Sequence, residues 1–333
     1  MDIKEIKKEL DKDWSGYQNI LVSALGNKNA FVSKINNYLI ENAGKQLRPV
    51  LSLLAARACG KVNATVHCCA AVSEMIHTAT LLHDDVADNG DLRRGVPTVK
   101  AVFGQAASVL AGDYWLAKAL HILAECKPEI LACYANAVQE LAEGELIQME
   151  KAELLDTTEE DYYTIIAKKT ASLFIAATKS AAMAIDACNE YISAITGYSY
   201  ELGVAFQIRD DIFDYTPSLD TGKIAGADIK ERKITLPLIC AMKNSTLEEA
   251  IAIKEKISGI ENSIVKGGTI NAVELAIIKE VNEFVHKYNG IELAQRALEE
   301  HTRKAVEYLS VLPFSKEKER LVQLAEFVGT RKR

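Results

Sequence analysis

The sequence predicts an all-α protein, a single large helical bundle folded as one domain over residues 1–333. Three observations predict it. Prolines are few, six in the whole chain, and the stretch from Glu129 to Thr216 holds none, which leaves room for long helices. Tyr162, Ile165, Ile166, Lys169, Thr170, Leu173 and Phe174 follow the i, i+3, i+4, i+7 rhythm of one helical face. The apolar–polar alternation of strands is hard to find anywhere.

In chain order, helices are predicted at 29–42 and then at 48–59, whose start lies among the cations Lys45 and Arg48. The next, 64–88, is apolar on nearly all sides from Val66 to Leu82, so other helices must surround it. It ends before Asn89-Gly90, a stop signal. Helices at 99–123, 129–151 and 159–174 follow, the last carrying the rhythm above. The helix at 190–215 stops at Thr216-Pro217, and helices at 270–288 and 290–310 are also among the roughly a dozen expected. No low-complexity linker or fixed-period repeat divides the chain.

Composition narrows the function. With 49% apolar and 26% charged residues the chain can bury a large core. Its net charge of −7 argues against general nucleic-acid binding, which needs clustered Lys and Arg. The charged start, Met1 to Ile6, lacks the features of a secretion signal, and no apolar run nears the roughly 18–20 residues that span a bilayer. The expectation is a soluble cytoplasmic protein. Its seven cysteines show no metal-ligand spacing and read as small core residues.

One short pattern occurs twice. Asp84-Asp85-Val86-Ala87-Asp88 and Asp210-Asp211-Ile212-Phe213-Asp214 begin 126 positions apart. In a helix the first and last carboxylates of each run lie on one face, one turn apart. Both runs fall where a helix ends, where the helix dipole is negative and repels them. A divalent cation relieves that repulsion, and hard oxygen donors with room for water and phosphate point to magnesium. A solvated acidic face is the alternative for one run alone; two copies closing apolar helices favour metal. Gln207 and Gly203 extend the second run's face inward.

Positive charge for an anionic substrate is local. Arg93 and Arg94 follow the first run, and can grip phosphate or neutralise the carboxylates. Gly44-Lys45-Gln46-Leu47-Arg48-Pro49 sets two cations at a helix start. Lys169 occupies the apolar face of its helix, and so pairs with a structural carboxylate or reaches a substrate phosphate. Thr221 to Lys233 is a polar, glycine-containing segment, and His77 lies near the face of Asp84.

With these residues assembled, the chain resembles the trans-type polyprenyl diphosphate synthases, most of all the long-chain, octaprenyl-type members. The likeness runs from Gly44 to about Leu238. It comprises the G-K-x-x-R-P string at Gly44 to Pro49, His77, the run from Asp84 to Gly95, Lys169-Thr170, Phe206 to Asp214, and Lys223. The resemblance implies the isoprenoid synthase fold around a deep central cavity, a homodimer, and several Mg2+ ions. It implies an isopentenyl diphosphate subsite at Gly44, Lys45, Arg48, His77 and Arg94. An allylic diphosphate subsite is implied at Arg93, Lys169, Thr170, Gln207, Lys223 and Lys233. The chain departs from long-chain members at Glu231-Arg232-Lys233, where glycine often precedes the lysine.

The implied reaction is ionisation of the allylic diphosphate, condensation with isopentenyl diphosphate, and loss of a proton, with pyrophosphate as the base. Asp84, Asp85, Asp88, Asp210, Asp211 and Asp214 hold the metal and, with Lys169, form the catalytic set. The product tail runs back along the 64–88 helix past Thr80, Ala79 and Ile76, with Tyr114, Trp115 and Leu120 near the floor. The small Ala79 and Thr80, about 6–7.5 Å behind Asp84, predict a long product of about six to nine units, suited to a quinone side chain. No transmembrane segment is expected, only transient membrane contact for product release. Competing readings are a short-chain farnesyl or geranylgeranyl diphosphate synthase, a class I terpene cyclase, and a non-catalytic partner subunit.

Overall fold

The computed structural model describes residues 2–93, 95–216, 226–260 and 271–330. Its helices begin with α1 (Ile3–Leu25), α2 (Ala30–Glu41), α3 (Leu47–Cys59), α4 (Ala64–Ala87), α5 (Val99–Phe103), α6 (Gln105–Leu123) and α7 (Pro128–Leu154). They continue as α8 (Glu159–Ile166), α9 (Ser172–Ala184), α10 (Asn189–Asp214), α11 (Ala227–Lys230) and α12 (Leu236–Asn244). The last are α13 (Leu247–Ser258), α14 (Ala272–Lys287), α15 (Gly290–Tyr308) and α16 (Lys316–Thr330). Ala167–Ala171 form a π-helical turn joining α8 to α9. Leu92–Arg93 pairs antiparallel with Val96–Pro97 in the only strands among the described residues.

Local chemistry explains most boundaries. Asn63 accepts from Val66 N–H to start α4, and Thr158–Asp161, Thr246–Glu249 and Asn271–Glu274 form reciprocal capping boxes on α8, α13 and α14. The helix expected over 99–123 is two helices. Gly104, at φ +94, takes a conformation open mainly to glycine, ending α5 and starting α6. The helix expected over 159–174 instead passes through the π turn and runs to Ala184, because its Ala-rich sequence keeps helix propensity high.

The residues form two compact units. One comprises residues up to 139, 173–199 and 308–324; the other 140–172, 200–307 and 325 onward. In the first, α4 packs against α1, α3 and α6. Val66, Val72, Met75, Ile76 and Leu82 are buried there, each side chain contributing about 1.5–3 kcal/mol. Contact with α6 is close: Ser108 Oγ donates to Leu82 O at 2.9 Å, and a Cβ on Gly112 would sit 2.3 Å from His83 Nε2. Trp115 Nε1 donates to Asn36 Oδ1 at 2.9 Å, tying α6 to α2.

In the second unit α14 packs against α11, α12 and α13. Ile208, Ile212 and Tyr215 are buried at the end of α10. Glu201 and His301 pair at 2.5 Å between α10 and α15. All seven cysteines are free, but the core reading holds fully for Cys69 alone, since Cys188 is exposed and the rest half-buried. Among the described residues no helix is long and apolar enough to cross a membrane.

Candidate active site

The first aspartate run closes α4 as expected, with Asp88 as its C-cap and Asp88 N–H donating to Asp84 O at 2.8 Å. Asp85 is 6% exposed, and its Oδ1 accepts from Arg93 Nε at 2.8 Å. The loop that returns Arg93 to Asp85 is built from short-range bonds. Asn89 turns it at φ +52, Gly90 N–H closes on Asp85 O at 3.0 Å, and Thr98 Oγ1 donates to Gly90 O at 2.9 Å. Lys100 of α5 holds the loop's outer side through Asn89 and, at 3.1 Å, Asp91. Arg94 lies outside the described residues.

In the same unit, the Gly44–Pro49 string leads into α3. Lys45 is exposed, while the Arg48 guanidinium lies 4.8 Å from the centroid of the Phe174 ring. His77 is half-buried on α4, and Thr80 Oγ1 donates to His77 O at 2.9 Å. Ile76 and Ala79 are each 1% exposed. Leu120, expected at a floor beside Trp115, is 48% exposed, whereas Trp115 is buried.

The second run ends α10. Asp211 is buried, and accepts from Tyr162 OH at 2.6 Å and Gln207 Nε2 at 2.8 Å. Burial pushes its carboxyl up to about 7, with Asp210 and Asp214 adding repulsion and the two donors opposing it. Asp214 accepts from the backbone N–H groups of Ala227 and Asp228, each at 3.0 Å, so the start of α11 is anchored on it. Burial raises the Asp214 carboxyl too, and raises Asp228 well above the usual carboxylate range, with Asp214 beside it.

The π turn carries Lys169 and Thr170 to this group. Gly144 and Gly203 permit it, since a Cβ on Gly203 would lie 2.6 Å from Ala171 Cα and one on Gly144 2.9 Å from Lys168 Cβ. Thr170 Oγ1 donates to Gln207 Oε1 at 2.7 Å. The Lys169 side chain is 30% exposed rather than buried; its ammonium pairs with Glu145 and lies 3.3 Å from Gln148 Oε1. Lys233 pairs with Glu231. A small cleft is lined by Lys169, Thr170, Gln207, Asp211, Asp228 and Lys233, among others. Lys223 lies outside the described residues.

Sequence reasoning pointed to the carboxylates but not to Tyr162, Asp228, Glu145 and Gln148 as their neighbours and those of Lys169. Among the described residues no three His, Cys, Asp or Glu side chains form a ready-made metal cage. Magnesium does not require one, because it keeps several waters and takes one or two carboxylates plus phosphate oxygens. The hard-oxygen donor set and the cost of burying Asp211 beside two other carboxylates fit such an ion.

Comparison with known proteins places the chain in a family. The polyprenyl synthetase family model matches residues 29–272. An octaprenyl diphosphate synthase of Haemophilus influenzae is 35% identical over 98% of this chain and 96% of its own length. A decaprenyl diphosphate synthase structure from Rhodobacter capsulatus superposes with a TM-score of 0.89 at 33% identity, covering 100% of both chains. A Caulobacter crescentus polyprenyl synthase, solved with calcium and isoprenyl diphosphate, gives 0.87 at 31% identity, covering 100% of this chain and 98% of its own. Relatives named for nonaprenyl, geranylgeranyl and heptaprenyl products match as well. The chain therefore belongs to the polyprenyl synthetase family and is a prenyltransferase of the trans-polyprenyl diphosphate synthase class.

Proposed function

We propose that the protein lengthens an allylic diphosphate with isopentenyl diphosphate into a linear product of about six to nine isoprene units, eight favoured, for a quinone side chain. Asp84, Asp85 and Asp88 and Asp210, Asp211 and Asp214 would hold magnesium, which would supply Lewis-acid neutralisation of a departing pyrophosphate. What most supports this assignment is Asp211, a buried carboxyl raised to about 7 beside two further carboxylates.

Gly44, Lys45, Arg48, His77 and Arg94 bind isopentenyl diphosphate; Arg93, Lys169, Thr170, Gln207, Lys223 and Lys233 hold the allylic diphosphate. Arg93 and Lys169 rest on Asp85 and Glu145, and a phosphate exchanges for those carboxylates. Gln207 turns its oxygen to Thr170 and its nitrogen to Asp211, so both side chains are fixed before substrate arrives. The protein works in the cytoplasm as a homodimer, which light scattering tests, and touches a bilayer transiently at product release.

Product length follows from α4. Ala79 and Thr80 lie about 6–7.5 Å behind Asp84, and Ile76 about 12 Å behind it. Thr80 satisfies its hydroxyl on His77 O, so it offers a growing hydrocarbon no unpaired donor. A short-chain reading has its own support: the Ser108–Leu82 bond and the Gly112–His83 contact bring α4 and α6 close, so small residues serve packing. Product chromatography decides. Wild type should make long chains from the two substrates with pyrophosphate release, and Ala79→Phe should shorten them to about three or four units with turnover largely kept. A wild-type product of two or three units overturns the long-chain assignment; reaction without isopentenyl diphosphate marks a cyclase, and no reaction a non-catalytic subunit.

A further inference from the structure

Gln46 stands between Lys45 and Arg48 with left-handed backbone angles, φ +52 and ψ +49, which residues other than glycine rarely adopt. Such an outlier persists only where its surroundings hold it. Gln46 also begins α3 without a side-chain cap, because its amide is engaged elsewhere. Oε1 accepts from Lys7 Nζ at 3.0 Å, and Nε2 donates to Tyr17 OH at 2.9 Å. Both partners belong to α1. One bond runs into the amide and one out of it, which fixes its orientation.

The partners are themselves held firmly. Tyr17 is fully buried, with its ring centroid 4.8 Å from that of Trp14. The Lys7 ammonium lies 4.6 Å from the centroid of Trp14. Burial pulls the Lys7 pKa down, while Glu74 of α4 opposes that shift. This α1 precedes residues 29–272, where the family model matches.

We infer that Gln46 is a positioning residue for the isopentenyl diphosphate subsite and that α1, through Lys7 and Tyr17, fixes it; this rests on the assignment of Lys45 and Arg48 proposed above. Gln46 does not touch the substrate. Holding the backbone left-handed between the two cations sets where α3 starts, and so the spacing at which Lys45 and Arg48 meet a diphosphate. It also keeps Gln46's own side chain away from the first N–H groups of α3. Released from α1, the residue relaxes toward the right-handed or extended regions, and Lys45 swings away from Arg48.

Lys7→Met and Tyr17→Phe each delete one bond and keep the bulk of the side chain. Steady-state kinetics should show KM for isopentenyl diphosphate raised about fivefold in each, with kcat and the allylic KM within about twofold. In a Gln46→Ala background neither change should add to the loss, since both act through that amide. A merely structural role moves the melting temperature without this split between substrates. Unchanged KM in Tyr17→Phe, equal losses for both substrates, or full additivity overturns the inference; if Lys7→Met does not fold, Tyr17→Phe carries the test. Lys45→Ala, assayed in parallel, separates the two levels. If it raises KM for isopentenyl diphosphate and the α1 variants do not, the positioning role alone falls. If it leaves KM unchanged, the subsite assignment falls and takes the inference with it.

Discussion

At Asp211, desolvation favours a neutral carboxyl while the Tyr162 hydroxyl and the Gln207 amide favour the charged form that a cation needs. Tyr162→Phe deletes the shorter of these bonds without changing ring packing. The magnesium needed for half-maximal rate should rise about tenfold, with the KM for isopentenyl diphosphate unchanged. An unaltered magnesium titration would show that the hydroxyl only fills space. The aspartates themselves were legible in sequence, because carboxylates four apart share a helix face whatever surrounds them. Tyr162 was not, since its partner lies 49 residues away and only packing brings them together. Lys169 was half legible: the sequence called for either a carboxylate or a phosphate, and Glu145 occupies the first role here.

Among the elements, α4, α7 and α10 were read from apolar patterning and the absence of proline, to within a few residues. The break at Gly104 was not, because one glycine within a helical rhythm gives no sign of its φ. Helix α1 was not singled out as a helix, although its anchoring is strong. Glu9 accepts from Arg320 Nε at 2.9 Å and pairs with Lys316 at 3.0 Å, fastening α1 to the start of α16. These partners, led by the Arg320 hydrogen bond, hold the Glu9 carboxyl down at about 2. Because the folded pKa is depressed, the stabilisation is complete above the ordinary 4.5 and disappears as pH falls through about 2. Solvent screening keeps it below about 1 kcal/mol. Melting curves of wild type and Glu9→Gln should therefore differ slightly at neutral pH and converge between about pH 4.5 and 2; a constant gap would assign the effect to packing.

For the whole molecule, the all-α class followed from composition and periodicity, whereas the division of α7, α10 and α16 between two compact units had no counterpart in the sequence. Runs of carboxylate at the ends of α4 and α10 have a consequence for folding itself. Each run opposes its own helix dipole, so the metal-free protein retains a repulsion that a bound cation removes. If the two runs hold magnesium as proposed, ligand-linked folding makes thermal stability a function of magnesium concentration, rising by about 2.7 kcal/mol at one hundred times the dissociation constant. Asp84→Ala reverses the ranking. In chelator it should melt at or slightly above wild type, having lost a repulsive charge, and in saturating magnesium it should melt below. That crossing of two calorimetric curves reads out cation binding with no substrate present. Parallel curves at every magnesium concentration would mean that Asp84 holds no ion.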